Sequence, residues 1–148
     1  MHSKQLTIIN RAIFILSLIG IVIAFYVTQS FVRGSTIVCV NSGCELVRKS
    51  PTSYLFGKVP VPAVGLAGYT LLALFTFLRT TSPVNFRKYL WGILGMSLFG
   101  VGFVSWFTFT ELFIIKGVCT WCAISAVNMV TIFILSLVSY HFLNQTSK

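Results

Sequence analysis

Of the 148 residues, 56% are hydrophobic and only 9% are charged, against roughly 25% charged residues in soluble domains. A soluble fold of this length cannot bury so much apolar surface, which excludes a soluble globular domain and indicates an integral membrane protein. The net charge of +9 lies on basic residues near the ends of apolar runs, so it indicates contact with membrane lipid and not with nucleic acid.

Four uncharged runs are long enough to cross a bilayer as helices, which takes about 20 residues each. They cover residues 12–32, 59–78, 89–110 and 117–143. The first run is too long for the core of a signal peptide, so we interpret it as a retained anchor. We therefore predict a single all-α domain over residues 1–148, a four-transmembrane-helix bundle in the membrane.

Four spans would place both termini on one side of the membrane and the connections 33–58 and 111–116 on the other. Basic residues mark the cytoplasmic side, and they are slightly more numerous on the side of the termini. All four cysteines reach the opposite side. Because paired thiols persist as disulfides on the oxidising side, we expect an inner or plasma membrane protein with cytoplasmic termini and extracytoplasmic cysteines.

The first cysteine pair lies in residues 33–58, which we call the redox loop. In the stretch "CVNSGC", turn-forming residues separate Cys39 from Cys44, which predicts a tight flexible loop and not a helix. A disulfide that closes so short a loop is expected to be easily reduced, which suits a shuttle between two redox partners.

A short helix is predicted at the end of the redox loop. Ser50 is a typical N-cap, Pro51 a typical first helical residue and Gly57 a typical stop. Between them, Tyr54 and Phe56 would make the helix amphipathic. We expect it to lie on the extracytoplasmic membrane surface and to cap a pocket at the ends of the spans.

The second pair, Cys119 and Cys122, opens the fourth span in the stretch "GVCTWCAIS". The free N–H groups and partial positive charge of a helix N-terminus stabilise a thiolate, and Cys-x-x-Cys spacing lowers thiol pKa values, often below about 7.5. The pattern predicts a reactive pair. Trp121, between the two cysteines, is interpreted either as an interfacial residue or as one that stacks on a ring ligand.

Three interpretations of the four cysteines stay open from these patterns alone. They are a redox-active relay between the pairs, two structural disulfides, and a tetrahedral zinc site. The relay is favoured because one pair lies at a helix N-terminus and the other in a mobile loop. We accordingly predict no metal ligands.

The sequence resembles the vitamin K epoxide reductase (VKOR) family. The likeness consists of four spans, a cysteine pair in the first long connection, the run 44–50 from a cysteine to a serine, and a Cys-x-x-Cys that opens the fourth span. Among its members, the chain looks like a bacterial-type single-domain homologue without a fused thioredoxin-like domain.

The resemblance implies an electron relay and therefore an enzyme. A thioredoxin-fold protein acting in trans would reduce the Cys39–Cys44 disulfide by attack at Cys39. Cys44 would then attack a Cys119–Cys122 disulfide at Cys119, and Cys122 would pass two electrons to a membrane quinone, either ubiquinone or menaquinone (vitamin K). The expected function is that of a thiol:quinone oxidoreductase which supports disulfide bond formation.

The residues expected to contact the quinone are Ser50, Tyr54, Phe56, Trp121 and Ser125. Ser50 matches the family serine near the quinone pocket. One alternative is reduction of vitamin K or its epoxide, although Ala126 stands where animal members carry a tyrosine. A second alternative is a non-enzymatic membrane subunit with structural disulfides or zinc.

Overall fold

The computed structural model describes residues 2–40 and 42–146. Within these residues the α-helices are α1 His2–Arg33, α2 Gly43–Lys49, α3 Val61–Thr81, α4 Phe86–Thr110 and α5 Thr120–Thr146. Two 3₁₀ turns cover Pro51–Ser53 and Pro83–Asn85, and a π-helical turn, Glu111–Ile115, continues α4. Strands β1 (Tyr54–Leu55) and β2 (Val59–Pro60) pair antiparallel.

Helices α1, α3, α4 and α5 are long and apolar enough to cross a membrane, which confirms the predicted all-α bundle of four transmembrane helices. Helix α1 packs against α3 and α5, and α4 packs against the same two helices. The helix bounds extend beyond several of the uncharged runs, because an uncharged run marks only the part of a helix that suits hydrocarbon. We call the two ends of the bundle the cysteine end and the termini end.

At the termini end, one buried arginine joins all four transmembrane helices. Arg79 of α3 is only 2% exposed. Its guanidinium donates to the hydroxyl of Ser139 on α5 at 2.9 Å and to the side-chain oxygen of Asn10 on α1 at 3.4 Å, and it lies 4.1 Å from the ring centre of Phe86 on α4. These contacts replace hydration of the charge, so a costly cation becomes a link between helices.

Apolar packing forms one cluster in the middle of the bundle and another at the cysteine end. The second, which we call the cysteine-end cluster, contains Val27, Phe31, Ile37, Cys44, Val47, Val61, Phe107 and Cys119. Two of the four cysteines therefore belong to the core itself. Their sulfurs lie in packed, nearly dry surroundings.

The redox loop contains a helix earlier than expected, which corrects the predicted flexible loop through Cys44. Helix α2 places Gly43 and Cys44 in its first turn. Cys44 and Val47 are buried one above the other on the inner face, while Arg48 donates to both carboxylate oxygens of Glu45 at 2.8 and 3.3 Å. Burial of one face and an i, i+3 ion pair on the other stabilise this short helix.

The prediction of a short helix after Ser50 is wrong. Pro51–Ser53 makes a single 3₁₀ turn, and the chain then enters the β1–β2 hairpin. Phe56 and Gly57 have left-handed backbone angles, with φ of 53° and 71°, which reverse the chain between the strands. Two successive positive φ values suit a tight hairpin turn and end any helix.

The third connection is shorter than predicted. The π-helical turn carries the backbone of α4 on to Ile115, and Lys116 ends it with a left-handed φ of 55°. The N–H of Gly117 donates to the carbonyl of Glu111 at 3.1 Å. Glu111, expected in an exposed connection, is instead 1% exposed inside the third membrane span.

Close packing between α1 and α3 yields a prediction about stability. At Gly20 of α1, an added Cβ would overlap the ring of Tyr69 on α3. We expect Gly20→Ala to lower the free energy of unfolding by about 1–3 kcal/mol through overpacking, measured as a lower melting temperature of the detergent-solubilised protein. Gly102→Ala is the matched control, because no atom lies within 4 Å of a Cβ there. Equal melting temperatures for the two variants would contradict the packing argument.

Candidate active site at the cysteine end

The cysteines occupy two redox states in the structure. Cys39, in the segment after α1, forms a disulfide with Cys44 in the first turn of α2. Cys119 directly precedes α5 and Cys122 lies in its first turn, as expected, and both are free thiols. The redox loop is therefore oxidised while the Cys-x-x-Cys is reduced.

The two pairs meet at Cys44 and Cys119. Their sulfurs are 3.2 Å apart although the residues are 75 positions apart in sequence, and each residue is 1% exposed. Thiol–disulfide exchange requires a thiolate to reach a disulfide sulfur. This contact permits exchange between the loop pair and the helix pair without rearrangement of the transmembrane helices.

The sulfur of Cys39 completes a group of three sulfurs that all lie within 4.8 Å of one another. Such a group has the ligand type of a zinc site. Two of the three are joined in the disulfide and have no thiolate to offer. In this redox state the arrangement is suited to disulfide exchange and not to metal binding.

Close backbone contact seats the redox loop on the start of α5. A Cβ on Gly43 would overlap the carbonyl oxygen of Val118, so only glycine allows α2 to approach this closely. On the other side, the indole N–H of Trp121 donates to the carbonyl of Val38 at 2.8 Å, and its ring lies 5.3 Å from that of Tyr26. The loop is thereby fixed on both sides of its disulfide.

The surroundings of Cys119 favour its thiolate. A hydrogen bond from the thiol of Cys122, with further ones from the backbone N–H groups of Cys122 and Trp121, lowers the pKa of Cys119 to about 7 against the opposing effect of burial. A thiol whose pKa lies near ambient pH is close to the optimum for attack on a disulfide, and it also leaves readily.

An apolar cavity of about 200 Å³ lies between the four transmembrane helices and reaches the second cysteine of the pair. Cys122 lines it and Cys119 does not. The remaining lining is mainly aliphatic and aromatic and includes Val27, Val61, Tyr69, Phe103, Phe107 and Met129. Cys119 thus faces the loop disulfide while Cys122 faces a chamber suited to an apolar ligand.

Two of the predicted quinone contacts, Trp121 and Ser125, line this cavity. The hydroxyl of Tyr69 donates to the carbonyl of Ser125 at 2.8 Å and lies 3.0 Å from its side-chain oxygen. These groups are polar points in an otherwise apolar wall. They can orient a ligand that carries carbonyl oxygens.

The other predicted contacts, Ser50, Tyr54 and Phe56, do not line the cavity. The hydroxyl of Ser50 pairs with that of Thr52 at 2.6 Å, and the ring of Tyr54 packs 5.8 Å from that of Phe31. Phe56 is 97% exposed in the hairpin turn. Because a hairpin replaces the predicted helix, these residues do not share one apolar face.

Glu111 and Tyr69 were not predicted from the sequence as residues of the site. Glu111 is one of only two acids in the chain. Its carboxyl group meets the thiol of Cys122 and the backbone N–H of Cys119. One signal was available, since the four residues after Glu111 are all apolar, which is unusual for an exposed connection. Tyr69 has no such signal, because a tyrosine in an apolar helix is ordinary.

The chain was compared with models of known protein families. Residues 11–137 match the model of the Vitamin K epoxide reductase family. This segment contains all four cysteines, Glu111 and every cavity residue named above. A search of curated proteins found no match to the chain.

The pKa of Cys119 is open to direct test. With the loop disulfide intact, Cys119 and Cys122 are the remaining thiols. We expect the ultraviolet absorbance of a thiolate to rise with pH around a midpoint of about 7. In Cys122→Ala the midpoint should move to higher pH, because the thiolate loses its strongest hydrogen bond. Persistence of the transition in Cys119→Ser would show that the assignment to Cys119 is wrong.

The close contact between Gly43 of the redox loop and Val118 yields a second prediction. In a chain carrying Cys39→Ser and Cys122→Ser, the remaining Cys44 and Cys119 should form a disulfide rapidly with a mild oxidant. Adding Gly43→Ala should slow this reaction about tenfold, equivalent to about 1.4 kcal/mol of overpacking against Val118. Gel mobility under non-reducing conditions measures it.

The matched control for this prediction is Ser42→Ala, at an exposed neighbouring position whose side chain makes no capping hydrogen bond. It should leave the rate of disulfide formation unchanged. Equal rates in the Gly43→Ala and Ser42→Ala chains would argue against the close backbone contact as the feature that seats the loop.

Proposed function

Since the chain belongs to the vitamin K epoxide reductase family, we propose that it is a membrane thiol:quinone oxidoreductase which takes electrons from a thioredoxin-fold protein and reduces a quinone. The observation that carries this proposal is the 3.2 Å contact between the sulfurs of Cys44 and Cys119. It joins a disulfide in the loop to a thiol pair at the cavity, and so supplies a continuous path for two electrons.

The relay begins at Cys39. This residue is half-buried whereas Cys44 is 1% exposed, so the thiolate of a partner protein reaches Cys39 more easily. Attack forms a bond between the partner and Cys39, breaks the Cys39–Cys44 bond, and releases Cys44 as a thiolate. The second thiol of the partner then displaces Cys39, and the partner leaves as a disulfide.

The second step uses the oxidised form of the helix pair. The thiolate of Cys44 attacks Cys119 in a Cys119–Cys122 disulfide and releases Cys122. Cys39 then attacks Cys44 and displaces Cys119, whose lowered pKa of about 7 makes it a good leaving group. The product has the loop oxidised and the helix pair reduced, which is the redox state of the structure.

The last step takes place at the cavity. When bound, a quinone would accept two electrons and two protons. The Cys119–Cys122 dithiol would lose them and return to a disulfide. The apolar lining favours such a ring, Trp121 provides an aromatic surface, and Ser125 provides a polar group at the wall. Whether the quinone is ubiquinone or menaquinone does not alter these roles.

The relay also bears on orientation. A pathway that produces disulfides belongs on the oxidising side of a membrane. We therefore place the cysteine end on the extracytoplasmic face of an inner or plasma membrane and both termini in the cytoplasm. The small excess of basic residues at the termini end agrees with this orientation.

Serine substitutions test the function. Cys44→Ser, Cys119→Ser and Cys122→Ser should each abolish quinone reduction by a dithiol protein, because each removes a sulfur through which the electrons pass. Cys39→Ser should stop turnover with a thioredoxin-fold protein. It should spare turnover with a small dithiol, which can reach the Cys119–Cys122 disulfide without the loop pair.

The measurement is the absorbance change of a soluble quinone added to detergent-solubilised protein. A parallel assay with vitamin K epoxide, followed by product analysis, separates quinone reduction from epoxide reduction. Wild-type turnover by Cys122→Ser would rule out the relay.

A further inference from the structure

Within residues 2–40 and 42–146, Glu111 is a buried acid that no basic side chain pairs with. It lies in the third membrane span, it is 1% exposed, and its Oε1 atom is buried with no hydrogen-bond partner in the described structure. An ionisable group at such depth is expensive, and when retained it usually marks a functional site.

The π-helical turn aims this carboxyl group at the Cys-x-x-Cys. The N–H of Gly117 donates to the carbonyl of Glu111, so the chain folds back immediately into α5. The carboxyl is then close enough to interact electrostatically with the thiol of Cys122 and the backbone N–H of Cys119. The turn ends at the left-handed Lys116, so Glu111 lies where the chain reverses between α4 and α5.

The basic side chains near Glu111 are either paired with another acid or exposed to solvent. The titratable groups that face its carboxyl are Cys119 and Cys122. On α2, which packs against the π-helical turn, Arg48 is paired with Glu45 and Lys49 is exposed. Lys116, next to the turn, is exposed as well. Protonation of Glu111 is therefore coupled to the redox pair and not to a salt bridge.

We infer that Glu111 is a catalytic residue, the general base that accepts the thiol proton of Cys122 when the Cys-x-x-Cys pair is oxidised. This inference rests on the proposed thiol:quinone activity. Cys122 must lose its proton to release electrons, and a quinone must gain two protons to become a quinol. The buried carboxyl takes up the proton of Cys122 as the pair is oxidised, and the two protons that the thiols lose balance the two that the quinone gains.

Bonds, electrons and protons all balance in this step. Two sulfur–hydrogen bonds break, one sulfur–sulfur bond forms between Cys119 and Cys122, and two electrons and two protons pass to the quinone. Glu111 ends in the protonation state in which it began. A positioned general acid–base group of this kind contributes about 10²–10⁴-fold to a rate.

The test compares Glu111→Gln, which keeps the shape of the side chain and removes its ionisation, with the wild-type protein in lipid vesicles. Reduction of a soluble quinone from the pre-reduced helix pair should slow about 10²-fold, and the limb of the pH–rate profile due to the carboxyl should vanish. Exchange between Cys44 and Cys119 should stay within about twofold, because it does not use this proton.

Two further variants complete the test. Glu111→Asp keeps the carboxyl group and should recover part of the rate and the pH limb. Glu45→Gln removes the other acid of the chain, which lies in the half-buried ion pair with Arg48 on α2, and should leave quinone reduction unchanged.

The outcomes are distinguishable. Wild-type rate and an unchanged pH profile in Glu111→Gln would overturn the role of Glu111 while the proposed function stands. Slowed disulfide exchange together with slowed quinone reduction in both Glu111 variants would likewise overturn it in favour of a structural role. Absence of quinone reduction by the wild-type protein would overturn both proposals.

Discussion

The contact between the redox loop and the first turn of α5 is the interaction on which the site depends. It brings the sulfurs of Cys44 and Cys119 to 3.2 Å within apolar packing. The approach is possible because Gly43 has no side chain to meet the carbonyl of Val118, and it is held by the hydrogen bond from Trp121 to the loop backbone. Since exchange needs direct contact between sulfurs, displacement of α2 by the width of a methyl group would separate the two pairs.

Polar contacts elsewhere in the bundle hold the four transmembrane helices together and so support the geometry of the cysteine end. Arg79 links the four helices at the termini end, and Asn128 donates to the carbonyl of Leu16 at 3.0 Å across the middle. Tyr69 connects α3 to α5 through Ser125. Each of these side chains finds at least one partner across the bundle, although the buried Nε of Arg79 has no hydrogen bond in the described structure. Glu111 differs in its neighbours, because its carboxyl interacts with the two residues of the Cys-x-x-Cys and with no polar group of another helix that the described structure gives.

The two cysteines of the Cys-x-x-Cys have different surroundings, because the pair lies between the redox loop and the apolar cavity. Cys119 precedes α5, packs against the loop disulfide, and receives hydrogen bonds that lower its pKa. Cys122, in the first turn, faces the cavity. Because Cys119 lies before the helix begins and Cys122 lies in its first turn, the two side chains have different surroundings: Cys119 faces the loop disulfide and Cys122 faces the apolar chamber.

The sequence by itself determined the four membrane helices, the gathering of the cysteines at one end, and the place of the Cys-x-x-Cys at the start of α5. These depend on the length of apolar runs and on parity of crossings, which are local or additive properties. Only the tertiary structure decided the position of α2, the hairpin that removes Ser50, Tyr54 and Phe56 from the cavity wall, and the burial of Glu111. Those features depend on which surfaces meet across α2, α4 and α5, and short polar segments have too little periodicity to encode such contacts.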